Sequence, residues 1–108
     1  MVQEIDVRDL ARRLANGHPV CLIDVREPWE HATAALPGSV LIPLGALAVR
    51  HTEIRPPEAG LVVVYCHHGI RSRTAAALLE QLGIARVASL AGGIDAWSRR
   101  VDPETPRY

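Results

Sequence analysis

At 108 residues, 48% hydrophobic and 22% charged, the chain has the size and make-up of one globular domain with a buried core. Twelve Lys and Arg balance twelve Asp and Glu, so no global field draws it to nucleic acid or to an anionic membrane surface. No apolar stretch approaches a bilayer span, and Met1-Val2-Gln3-Glu4-Ile5-Asp6 lacks the basic and apolar regions of a signal peptide. Cys21 and Cys66 are far apart and form no metal-type pair, so the expectation is a reduced, cytoplasmic setting with no metal.

Val7, Leu10, Ala11 and Leu14 recur at helical spacing, Asp6 can cap that helix, and Asn16-Gly17 stops it. Val20–Asp24 reads as a short buried strand, with Cys21 as a small core hydrophobe. Pro28 permits a short helix over 27–32. Leu36-Pro37-Gly38 is a turn, 39–42 a strand, and Pro43 opens a helix over 43–49. Residues 55–60 carry strong breakers and form a surface connection. Leu61–Tyr65 is apolar throughout, as befits a central parallel strand covered on both faces.

A helix over 72–82 follows, with Ala75, Leu78, Leu79 and Leu82 on its buried stripe and Gly83 at its C-terminal end. Val87–Leu90 is the last strand, Ala91-Gly92-Gly93 a turn, 94–99 a short helix, and 102–108 an extended tail. Strands alternating with helices argue for a parallel α/β sheet with helices on both faces, in one domain over residues 1–108.

The chemistry concentrates in Cys66-His67-His68-Gly69-Ile70-Arg71, between a buried strand and a helix. Open α/β sheets bind their ligands at that end. Free N–H groups of the loop and helix start form an anion cradle there, which favours thiolate over thiol. The residues propose a nucleophilic cysteine in an anion-binding loop.

Four blocks then match one family: Asp24-Val25-Arg26-Glu27-Pro28; Leu36-Pro37-Gly38-Ser39-Val40 with Ile42-Pro43-Leu44; Cys66-His67-His68-Gly69-Ile70-Arg71-Ser72; and Leu90-Ala91-Gly92-Gly93-Ile94-Asp95-Ala96-Trp97. In this order and spacing the chain resembles a single-domain rhodanese. The resemblance implies a three-layer α/β/α domain whose central, mainly parallel sheet has about five strands. It implies a sulfurtransferase that needs no cofactor. Its cysteine takes sulfane sulfur from thiosulfate or glutathione persulfide, holds it as a persulfide, and passes it to a thiol, cyanide or protein acceptor. The tail is similar to those of stand-alone bacterial rhodaneses and of rhodanese domains fused to enzymes that activate sulfur-carrier proteins. A sulfur carrier is therefore among the expected partners.

Loop length separates branches of the superfamily: dual-specificity phosphatases and arsenate reductases of this fold carry Cys-x5-Arg, whereas Cys66 and Arg71 enclose four residues. Phosphatase or reductase chemistry and a non-catalytic interaction module stand as alternatives. In the loop, Gly69 suits a positive φ, and Ser72 is expected to cap the helix rather than donate to a persulfide. Ile70 and the amides of 67–72 complete the cradle. Arg71 either meets an anion or, the preferred option, pairs with a carboxylate such as Asp24 or Glu27. His67 and His68 are read as rim residues that favour anionic donors, and as no zinc site because further ligands are lacking. Asp24 and Arg26 are expected to brace neighbouring loops, Trp97 to pack in the core, and Trp29 to line an entrance. Ala34-Ala35-Leu36 and Leu41 replace the Gly-His-Ile and Asn common in relatives, removing polar groups near the loops.

Overall fold

The computed structural model describes residues 2–108. Its strands are β1 (Glu4–Ile5), β2 (Val20–Asp24), β3 (Val40–Leu41), β4 (Leu61–Tyr65) and β5 (Val87–Leu90). Its helices are α1 (Val7–Ala15), α2 (Pro28–Thr33), α3 (Leu47–Arg50), α4 (Ile70–Gln81) and α5 (Gly93–Arg100). The strands form one sheet in the order β1-β5-β4-β2-β3, and every pair is parallel.

Side-chain alternation along β4 divides the core in two. Leu61, Val63 and Tyr65 pack on one face with Ile5, Leu10, Ile94 and Trp97. Val62, Val64 and Cys66 pack on the other with Leu47, Ala75, Ala76 and Leu79. The nucleophile candidate directly follows β4 and continues its alternation into the core, which ties its position to the sheet.

The bounds of β2, β4 and β5 agree with expectation, and Asp6 caps α1 by accepting from Arg8 N at 2.8 Å. Other expectations need correcting. β1 escaped notice because two residues carry no periodicity; it exists through pairing with β5. The stretch 43–49 is broken into a 3-10 turn at Leu44–Ala46 and the short α3. Leu14 lies in the last turn of α1 and is exposed.

Two corrections bear on function. α4 begins at Ile70, two residues early, because Gly69 takes φ 99° and turns the chain directly into the helix. Its buried stripe is Ser72, Ala75, Ala76 and Leu79, so Ser72 faces the core rather than capping a terminus. The segment after α5 is not simply extended. Thr105 N donates to Asp102 O at 3.0 Å, Thr105 is buried, and Tyr108 folds back onto the Cys66 loop.

Candidate active site

The Cys66 residue is 1% exposed. Gly69 N donates to its Sγ at 3.1 Å and Ser72 N at 3.3 Å. Ser72 Oγ stands 3.5 Å from the sulfur and 2.7 Å from Ser89 Oγ, so a β5 side chain supports the cradle from beneath. Two converging amides at the start of a helix of 12 residues favour negative charge on the sulfur.

The loop is held from below by the first turn of α5. Ile94 N donates to Cys66 O at 2.9 Å, and Asp95 N to His67 O at 3.0 Å. A Cβ on Gly93 would lie 2.4 Å from both of those carbonyl oxygens. One on Gly69 would meet Gly92 N at 3.0 Å. The glycines of the two loops therefore permit a backbone-to-backbone approach that side chains would prevent.

Arg71 pairs with a carboxylate, as preferred, but with neither Asp24 nor Glu27. Its Nη1 and Nη2 donate to Glu30 Oε1 and Oε2 at 2.7 and 2.9 Å. Asp24 is already committed to Arg26, and Glu27 is an exposed cap residue at the start of α2. Glu30 also accepts from Glu27 N at 3.0 Å and from the Tyr108 hydroxyl at 2.7 Å. The Arg71 hydrogen bonds, chiefly, pull the Glu30 pKa down to about 2. With the Arg71 charge so engaged, anion attraction at the loop falls to the amides.

Asp24 and Arg26 form a fully buried pair: Nε to Oδ1 at 2.8 Å and Nη2 to Oδ2 at 2.7 Å. Arg26 also donates to Ala34 O and, at 2.6 Å, to the Tyr108 hydroxyl. Asp24 further accepts from the Tyr65 hydroxyl at 3.3 Å, and His31 Nδ1 lies 2.8 Å from it. Tyr65 in turn accepts from Leu36 N at 3.1 Å. At 34–36 this chain uses backbone groups, Ala34 O and Leu36 N, for its contacts with Arg26 and Tyr65.

His67 stacks between His68 and Tyr108, with ring centroids 3.9 and 4.1 Å away. Burial first, then the neighbouring His68, hold the His67 pKa below the ordinary histidine value, which disfavours a charged ring there. Asp95 is the third group that the sequence reading did not see: its carboxylate and the two histidines lie within 4.8 Å of one another. Arg99 Nε already engages Asp95 at 2.9 Å, however, and rings stacked at 27° do not converge their in-plane lone pairs on one ion.

Ile70 is exposed, Trp29 is exposed and makes a T-shaped contact with Tyr108, and Trp97 is buried. Cys21 pairs in register with Val62, four residues before Cys66, or about 13 Å along the sheet. That is too far for a disulfide between them. Glu30, Tyr65, Ser89 and Tyr108 were missed. Only Glu30 left a local signal, three residues beyond Glu27 as in a capping box.

No helix among the described residues is long and apolar enough to cross a membrane. The chain is 43% identical over 99 residues to a sulfurtransferase of Allochromatium vinosum, covering 92% of this chain and 91% of that protein. It is 33% identical over 104 residues to the probable adenylyltransferase/sulfurtransferase MoeZ of Mycobacterium tuberculosis, covering 96% of this chain but 26% of that one. The rhodanese-like domain protein of Staphylococcus aureus superposes with TM-score 0.82 at 25% identity, over 99% of both chains. The thiosulfate sulfurtransferase of Pseudomonas aeruginosa also gives 0.82 at 25% identity, over 91% of this chain and 19% of that one. Such relatives support sulfur transfer in general, and the match of residues 6–100 to the rhodanese-like domain model places the chain in the rhodanese-like family.

Proposed function

We propose that this protein is a sulfurtransferase in which Cys66 carries sulfane sulfur as a persulfide. The observation that carries the proposal is the pair of amides, Gly69 N and Ser72 N, aimed at Cys66 Sγ. With thiosulfate as donor, the Cys66 thiolate attacks the sulfane sulfur. An S–S bond forms to Cys66, the sulfur–sulfur bond of the donor breaks, and sulfite leaves with its electron pair. A thiolate, cyanide or protein acceptor then attacks the outer sulfur, and the Cys66 thiolate departs. The two displacements predict ping-pong kinetics.

The amides serve both halves, because the sulfur they hold is negatively charged before loading and again as it leaves. Ser72 Oγ, held by Ser89, accepts from the Cys66 thiol and can donate in turn once the sulfur is ionised. Asp24 and Arg26 brace the loops around 34–36 and 108. The likeness to the putative sulfur carrier protein YrkF of Bacillus subtilis supports a sulfur-carrying protein among the partners.

Thiosulfate or glutathione persulfide should add one sulfur atom to the intact protein by mass spectrometry. Cys66→Ser should abolish the addition, and Cys21→Ser should leave it. Failure to load from either donor would refute the proposal, and Cys66-dependent turnover of an aryl phosphate in its place would support phosphatase chemistry.

A further inference from the structure

We propose that Tyr108 is a positioning residue that grips both ends of the Cys66–Arg71 loop at once. This rests on the sulfurtransfer reading only for its kinetic consequence.

The ring acts on one end of the loop. It lies nearly parallel to His67, with ring centroids 4.1 Å apart and planes at 10°, and covers one face of the residue after Cys66 while His68 stacks on the other. The Trp29 ring meets Tyr108 edge-on at 5.8 Å and limits its sideways freedom. The hydroxyl acts on the other end. It donates to Glu30 Oε2 at 2.7 Å, and both oxygens of that carboxylate hold Arg71. The same hydroxyl accepts from Arg26 Nη1 at 2.6 Å.

Donor and acceptor roles are both fixed, because Arg26 can only donate and an ionised Glu30 can only accept. A phenol satisfies this pair of neighbours, whereas a phenylalanine would leave a buried Arg26 N–H and a Glu30 lone pair without partners. Tyr108 thus connects the Asp24–Arg26 pair, the Glu30–Arg71 pair and His67, three groups that the sequence separates widely. With the hydroxyl in place, Arg71 stays with Glu30, the first turn of α4 stays put, and the Gly69 and Ser72 amides keep their aim.

The ring and the hydroxyl can be removed separately. Tyr108→Phe keeps the stack and loses the bridge; Tyr108→Ala loses both. Persulfide loading from thiosulfate should fall about tenfold in Tyr108→Phe and further in Tyr108→Ala, at temperatures where melting curves show both folded. The second readout is the His67 imidazole titration by NMR. His67 is faced by His68, Tyr108, Asp95, Glu30 and Arg26, and its low pKa comes first from burial. The titration should move up in Tyr108→Ala and stay near wild type in Tyr108→Phe. A residue that merely added stability would not split the two readouts this way.

Wild-type loading rates in both variants, or a His67 titration unmoved in Tyr108→Ala, would overturn the proposal. If the wild-type protein itself loads from no donor, the sulfurtransfer reading fails, while the His67 titration still decides the ring's part in the grip.

Discussion

Replacing Gly93 by alanine tests whether the close approach of two loops builds the site. The added Cβ would lie 2.4 Å from Cys66 O and from His67 O, about 1 Å inside ordinary contact, and both obstacles are backbone. Gly93 also sits at φ 61°, where an L-residue costs roughly 1–2 kcal/mol. Relief requires the loops to part, which weakens the Ile94 N and Asp95 N hydrogen bonds at about 1 kcal/mol each. The sum is about 3–4 kcal/mol, or a fall in Tm of roughly 12–30 °C for a domain of this size. Chemical denaturation gives the stability, and thiosulfate loading followed by mass reports the site. Loading should slow even at low temperature where the variant is folded, because the carbonyls that shift belong to the nucleophile and its neighbour. A destabilisation below about 1 kcal/mol with loading unchanged would refute the argument.

The fully buried Arg26 makes Asp24→Asn a second test: its guanidinium would lose its buried counter-charge, at about 3–5 kcal/mol in denaturant unfolding, and a cost under 1 kcal/mol would contradict the bracing role. Glu30 predicts a pH dependence. Its carboxyl stays ionised down to about 2 when folded but takes up a proton near pH 4.5 when unfolded. The unfolded state therefore binds more protons in that window, and stability should fall by about 2–3 kcal/mol from pH 5 to 2, discounting for the partly exposed Arg71. Unfolding free energies of Glu30→Gln should show a shallower decline over the same range, and parallel curves would refute the assignment.

Strands were legible where burial on both faces writes a continuous apolar run, as in β2 and β4. The two-residue β1 was not, because its existence depends on pairing with residues 85 positions along the chain. Cys66 and its loop could be read because a cysteine between a buried strand and a helix is a local pattern. Arg71 could be read as structurally paired, but its partner could not, because 41 residues separate it from Glu30 and only the packing of α2 beside the loop brings them together. Tyr108 was hidden for the same reason, at 78 residues from Glu30. Ser72 was misread because the helix was started two residues late, which turned an inward position into a terminal one.

The placement of Cys66 within a core face has a consequence for selectivity against damage. Only 1% of the residue is open to solvent, and the Cys66 and His67 carbonyls are pinned by backbone contacts from α5. Bulky alkylating reagents should therefore react with this sulfur far more slowly in the folded protein than in the unfolded chain. The fold thereby shields this thiol from bulk reagents while two backbone amides stay aimed at it.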